Sequence, residues 1–191
     1  MFQFILLIVS FSLSVLLTGS LIYFIRSRKA LKGHLFQKAV SRKRNVIPGL
    51  GGIAIYFSVW IVFGFVCVLK PSMLPDFGPY TFGLFLSTTL VLLLGIWDDF
   101  RKLDYRVKFP VQILAAIILY FYGFRIENLT DPFHMTSVAL GIWSLPVSVF
   151  WHLLVINAIN LIDGLDGLAS GISVIALGVL LAATQYEFSL A

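Results

Sequence analysis

The 191-residue chain is expected to fold as an all-α, polytopic transmembrane helix bundle of about six spans. Three observations lead there. Hydrophobic residues make up 59% of the chain and charged residues only 12%, whereas a soluble domain is about half apolar and roughly a quarter charged. The mean hydropathy is +0.96. The apolar residues run continuously instead of alternating in segments of about ten, which sets aside a β-barrel. An ordinary soluble globule and a disordered chain are excluded on the same grounds.

The first run, Phe2 to Ile25, is long enough to cross about 30 Å of hydrocarbon. No basic residue precedes it, it exceeds the apolar core of a signal peptide, and no small-residue cleavage site follows. It reads as a span, with Arg26, Arg28 and Lys29 as its cytoplasmic stop. Further apolar runs occupy Gly51–Leu69, Tyr80–Trp97, Val111–Phe124, Pro146–Ile162 and Leu168–Ala183, the fourth being short. No convincing strand, internal repeat or low-complexity tract interrupts them, so residues 1–191 are expected to form a single membrane domain. A single cysteine, Cys67, excludes a disulfide framework and reads as a small apolar residue within its span.

Charge sets the orientation. Of the 14 basic residues, eight lie between Arg26 and Arg44 and four between Arg101 and Lys108. The intervening segments carry only Lys70 and Arg125. The positive-inside rule puts loops 26–50 and 98–110 in the cytoplasm and the N-terminus outside. Beside a span, Arg42-Lys43-Arg44 reads as a topology and lipid signal; no nucleic-acid partner is expected. A homodimer is compatible with the sequence.

Five of the nine acidic residues, Asp98, Asp99, Asp104, Asp163 and Asp166, fall on that same inner side. Charges at membrane depth are costly and tend to be functional. Asp98 and Asp99 end the third span, where a helix already carries partial negative charge, so a cation must compensate. The choices are Lys102, four residues after Asp98, or a divalent metal; few carboxylates and many oxygens suit Mg²⁺. In the second cluster Asn157, Asn160, Asp163 and Asp166 recur every three residues. On a helix that row drifts by about 60° per step, so Asn160, Asp163 and Asp166 share an arc that Asn157 leaves. Either the helix breaks near Gly164, or Asn157 does another job. Packing through small residues explains Gly164, Gly167 and Gly171 but not the polar row. His152 stands about 16 Å up a helix from Asp163 and reads as a hydrogen-bonded interfacial histidine. Acids clustered at one membrane edge argue against an ion transporter, which would hold them at mid-membrane.

The motifs GGIAI at 51–55, LGIWDDF at 94–100 and NAINLIDGLDGLASG at 157–171 resemble those of the polyprenyl-phosphate N-acetylhexosamine-1-phosphate transferases, glycosyltransferase family 4. They come in the family's order and on its cytoplasmic face, and look closer to the N-acetylglucosamine branch than to the muramoyl-pentapeptide branch. The resemblance implies a multi-pass enzyme of the inner (plasma) membrane. Such an enzyme moves a sugar 1-phosphate from a UDP-N-acetylhexosamine to undecaprenyl or another polyprenyl phosphate, releasing UMP, in cell-wall or surface-polysaccharide biosynthesis. It further implies a catalytic pair, Asp98 and Asp99; Mg²⁺, with Mn²⁺ as an alternative, on Asn160; a nucleotide and metal pocket lined by Asp163, Gly164 and Asp166; phosphate contacts from Lys102 and Lys108; and a diphosphate contact from Arg42. A single metal site joining the two clusters is the expectation. The family also has later spans, a later metal aspartate and a histidine-bearing loop, and these 191 residues end before them. The chain therefore reads as the N-terminal part of such a fold, whose 191 residues alone are not expected to catalyse transfer at a normal rate. The alternative is a non-catalytic lipid-binding or subunit form.

Overall fold

The computed structural model describes residues 2–27, 51–69, 71, 74–131, 136–163 and 167–190. Long helices occupy every apolar run: α1 (Phe2–Ser27), α2 (Gly51–Leu69), α3 (Leu74–Arg101), α4 (Tyr105–Phe121), α5 (Ser144–Ile162) and α6 (Leu168–Leu190). Among the described residues, three stretches are long and apolar enough to cross a membrane: Gly51–Leu69, Gly78–Arg101 and Gly141–Ile162. Ile8–Tyr23 and Leu168–Ala183 are shorter apolar helices. α4, with 17 residues, is shorter than any of those three stretches.

Burial is inverted relative to a soluble protein. Among the described residues the buried apolar side chains are small or few (Ala54, Leu94, Ala115, Ala116), and the buried polar ones are Ser58, Ser87, Gln112, Ser144 and Ser148. Large apolar side chains such as Ile61, Phe65, Leu114 and Leu180 lie outside. Small residues at helix contacts and apolar residues facing out are what a hydrocarbon solvent selects, because it offers no hydrophobic drive between helices.

The chain divides into two units, Met1–Arg125 and Ile126–Ala191. In the first, α1 lies on α2, α2 on α3, and α3 packs most extensively on α4. The Tyr56 hydroxyl meets Thr89 Oγ1 at 2.7 Å, and the Trp60 ring stands edge-on to Phe85 at 4.9 Å between centroids. Where α3 meets α4, the buried Ser87 hydroxyl donates to the Ala115 carbonyl at 2.8 Å. Gly83 lets the backbones close further, since a Cβ there would collide with Tyr122 Cβ.

Two helix boundaries differ from expectation and matter for the site. α3 begins at Leu74 instead of Tyr80 and continues past Trp97 to Arg101. Proline tolerates a helix start because the first amides have no intrahelical acceptor, so Pro75 does not delay it. α4 begins at Tyr105 instead of Val111 and ends at Phe121. Asp104 precedes it with an extended backbone (φ −70°, ψ 152°), and its carbonyl accepts from the amides of Val107 (3.0 Å) and Lys108 (3.2 Å). The expected loop 98–110 thus shrinks to residues 102–104 between two helices.

The second unit corrects the reading that no strands occur. Strands β1 (Asn128–Thr130) and β2 (Ser137–Ala139) pair antiparallel, with Leu129 opposite Val138. Three residues per strand are too few to show alternation in a sequence. A 3₁₀ turn, Gly141–Trp143, leads into α5. Two buried serines fasten the ribbon's stem to that helix: Ser144 Oγ donates to the Ile126 carbonyl at 2.6 Å, and the Ile126 amide donates to Ser148 Oγ at 2.8 Å.

Candidate active site

The first acidic cluster sits where α3 reverses into α4. The reversal is made by Lys102, whose φ of +41° is in the left-handed region, alone among the described non-glycine residues. Its amide donates to the Asp98 carbonyl at 2.7 Å, closing the helix one turn back. The next amide, Leu103, donates to Asp98 Oδ1 at 2.7 Å. Asp98 Oδ2 takes the Lys108 ammonium at 2.7 Å, with both side chains about a third exposed (31% and 30%). Asp98 therefore caps its own helix through its carbonyl and its carboxylate together. A carboxylate at a helix C-terminus opposes the macrodipole, and the lysine offsets that repulsion.

The compensating cation is thus Lys108, across the turn, and not Lys102, along the helix. Helical spacing cannot show a pair split by a left-handed residue. The readable signal was Asp104 as a helix cap, which starts α4 early enough to bring Lys108 back over Asp98. Asp99 follows on the next helical position and is exposed, as is Lys102. Asp104 and Arg106 form a loose, exposed contact at 3.9 Å, which contributes little.

The second cluster closes α5. The helix ends at Ile162, Asp163 caps it with its amide donating to the Ile159 carbonyl at 3.0 Å, and α6 begins at Leu168. Of the two expected alternatives the helix break is present. Asn157 also turns inward on its own helix, donating from Nδ2 to the Leu153 carbonyl at 2.8 Å. Asn160 and Asp163 are exposed. Gly167, at φ +82°, starts the next helix, and its carbonyl accepts from the Gly171 amide at 2.9 Å. His152 is half-buried with Nδ1 at 2.7 Å from the Ser148 carbonyl, the hydrogen-bonded histidine the sequence suggested. Cys67 is a half-buried free thiol in α2. Arg42, Gly164 and Asp166 lie outside the described residues.

Among the described residues no group of three or more His, Cys, Asp or Glu side chains forms a metal cage. In the second unit, Asn160 and Asp163 offer hard oxygen donors exposed at the end of α5. That set fits Mg²⁺, which takes one or two protein oxygens and completes its shell with water and substrate phosphate.

Comparison with known proteins gives the family. The Glycosyl transferase family 4 description matches residues 81–190. The chain is 36% identical over 178 residues to the probable undecaprenyl-phosphate N-acetylglucosaminyl 1-phosphate transferase of Bacillus subtilis, covering 91% of this chain and 47% of the relative. It is 30% identical over 176 residues to the undecaprenyl-phosphate alpha-N-acetylglucosaminyl 1-phosphate transferase of Escherichia coli K12, covering 88% and 46%. The phospho-N-acetylmuramoyl-pentapeptide-transferase of Clostridium botulinum is 28% identical over 147 residues, covering 71% and 43%. The chain spans about half the length of the curated relatives it matches. No solved structure matches. With the family match running through both the Asp98–Lys108 turn and the α5–α6 junction, the chain belongs to glycosyl transferase family 4.

Proposed function

We propose that this chain serves the transfer of an N-acetylhexosamine 1-phosphate from a UDP-sugar to undecaprenyl or a related polyprenyl phosphate, in cell-wall or surface-polysaccharide biosynthesis. One observation carries the reading: a membrane-length helix ends in an exposed carboxylate, Asp99, beside an exposed lysine and an internally paired Asp98–Lys108. A lipid phosphate approaches from the bilayer and a nucleotide sugar from water. The edge of a span, carrying both signs of charge, suits two anionic substrates that would otherwise repel.

In the net reaction an oxygen of the lipid phosphate bonds to the sugar-bearing phosphorus, and the bond from that phosphorus to UMP breaks. Asp99 is assigned to the lipid phosphate, Lys102 and Arg42 to phosphate charge, and Asp163, Gly164 and Asp166 to the nucleotide side. Asn160, with Asp163, would hold Mg²⁺, which when bound offsets the charge of the diphosphate. The protein's share is positioning and charge, since phosphoryl transfer asks for little covalent chemistry from side chains. In this reading the protein is a multi-pass plasma-membrane protein, segment 26–50 and the α3–α4 turn face the cytoplasm and the N-terminus lies outside.

The test is an assay of the whole gene product with radiolabelled UDP-N-acetylglucosamine, a panel of other UDP-sugars and undecaprenyl phosphate. UMP release with a metal-dependent, lipid-linked product is expected; no product from any UDP-sugar would refute the activity. Orientation is read separately. In a Cys67→Ala background, Ser72→Cys should react with an impermeant thiol reagent from outside and Ser41→Cys should be protected. The reverse pattern would overturn the cytoplasmic face.

A further inference from the structure

We propose that Asp98 is a positioning residue of this reaction, acting with Lys108 to lock the α3–α4 turn and so hold its neighbours Asp99 and Lys102 in place. The inference rests on the transferase reading and divides the acidic pair that the reading leaves together.

The geometry argues for the division. Both Asp98 carboxylate oxygens have partners at 2.7 Å, one the Leu103 amide and the other the Lys108 ammonium. The residue's carbonyl has a third, the Lys102 amide, at 2.7 Å. Asp99 is exposed on the next helical position, and among the described residues no hydrogen bond holds its carboxylate. A group so fully engaged is poorly placed to take a proton from, or bond to, an incoming phosphate; its exposed neighbour is not.

A second observation is independent. The C-terminal end of α4 makes the same kind of helix exit with ordinary parts. Gly123, at φ +99°, takes the left-handed position, its amide donating to the Tyr120 carbonyl at 3.1 Å and the Phe124 amide to the Leu119 carbonyl at 2.9 Å. At the α3 end the left-handed residue is Lys102, and the outermost backbone acceptor is replaced by the Asp98 side chain. A left-handed conformation costs an ordinary L-residue about 1–2 kcal/mol that glycine does not lose. A fold that needed only a turn would place glycine at 102. Keeping lysine there, under a lock built from Asp98 and Lys108, makes sense when the lysine side chain must stand at one place beside Asp99.

The lock accounts for Lys108 as well: its ammonium holds Asp98, and we assign it to the turn, where the family resemblance implies a phosphate contact. Loss of the lock should let residues 101–104 relax toward ordinary conformations, displacing Asp99 and Lys102 without removing either.

The experiment uses the whole gene product, undecaprenyl phosphate and the accepted UDP-sugar. Asp98→Asn keeps the acceptor for Leu103 but sets an amide NH₂ against the Lys108 ammonium, and kcat should fall about a hundredfold, as for an ångström-scale misplacement. Adding Lys108→Gln supplies an acceptor for that NH₂, and Asp98→Asn/Lys108→Gln should recover roughly tenfold or more, the worth of a restored hydrogen bond. A carboxylate that itself reacts with substrate cannot be rescued from position 108. A double variant no better than Asp98→Asn, or a Lys108→Ala enzyme at wild-type kcat, would overturn the positioning role. Hydrogen exchange supplies a readout apart from activity. The Leu103 amide should be protected in the wild type, exchange roughly tenfold faster in Asp98→Ala and Lys108→Ala, and be unchanged in Asp99→Asn. If the Asp98 variants do not fold, the wild type and Lys108→Ala decide, and an unprotected wild-type Leu103 amide defeats the lock. A wild-type protein with no transferase activity but a protected Leu103 amide overturns the transferase reading, and the positioning role with it, while leaving the turn as described.

Discussion

The C-terminal ends of α3 and α4 solve one problem with different residues. At Gly123 the chain leaves the helix through a glycine, backbone hydrogen bonds and the ring of Tyr80, against which a Cβ on Gly123 would collide. At Lys102 it leaves α3 through a lysine, an aspartate side chain and an ion pair to Lys108. The first end is built from parts chosen for fit. The second accepts a strained lysine and a carboxylate set against a helix dipole, then compensates both locally. Strained backbone held by its surroundings gathers at functional positions, so the contrast separates a structural turn from a working one.

Several substitutions sharpen or break that contrast. The largest effect is expected for Asp99→Asn. Removing a charge-assisted contact made in the transition state should lower kcat by about a hundredfold or more, with thermal unfolding in detergent unchanged. A comparable loss of stability would place Asp99 in the fold and not in the chemistry. Gly83→Ala comes next, with stability as its readout. Its Cβ would meet Tyr122 close to the backbone, where the ring cannot swing aside, so about 2–3 kcal/mol should be lost. Unfolding at the wild-type midpoint would show that α3 and α4 can separate at that end without penalty.

Gly123→Ala combines a left-handed alanine with displacement of the Tyr80 ring tip, a movable neighbour, and should cost about 2 kcal/mol. The smallest change in stability is expected at the mirror position. Lys102→Gly relieves about 1–2 kcal/mol of strain but loosens the unfolded chain by roughly 0.5–1 kcal/mol, so the protein should be unchanged or stabilised by under about 1 kcal/mol. Its KM for the nucleotide sugar should nevertheless rise. A lysine that could be exchanged for glycine with no kinetic effect would make the two ends equivalent and remove the argument for a working turn.

The acidic cluster was legible as residues before it was legible as an arrangement. Asp98 and Asp99 stand out because carboxylates at the end of an apolar run are rare, and Asn160 and Asp163 because polar residues recur within one. The end of α5 near Gly164 was one of two readings that the three-residue spacing left open, and the break at Ile162 selects it. The sequence offered Lys102 or a divalent metal as the cation beside Asp98 and did not single out Lys108, because periodicity assumes that the helix continues. One left-handed residue and an early cap at Asp104 move the neighbouring lysine from position 102 to position 108. The β1–β2 ribbon escaped notice because three-residue strands carry no period, and what anchors their stem is a pair of serines inside α5.

By itself, the order of the residues determined the class of protein, the apolar runs that become helices and the motifs that tie the chain to its family. Each of these depends on composition or on neighbours within a turn or two. A long apolar run becomes a helix in hydrocarbon whatever surrounds it, because its backbone groups must bond to one another. Tertiary structure alone decided which lysine faces Asp98, where α3 stops and α4 starts, and which of two adjacent aspartates is engaged and which is exposed. Those outcomes depend on the sign of one backbone angle at Lys102 and on the register of two packed helices. A few ångströms there exchange one charge partner for another, while the hydrophobic pattern that the sequence displays is left unchanged.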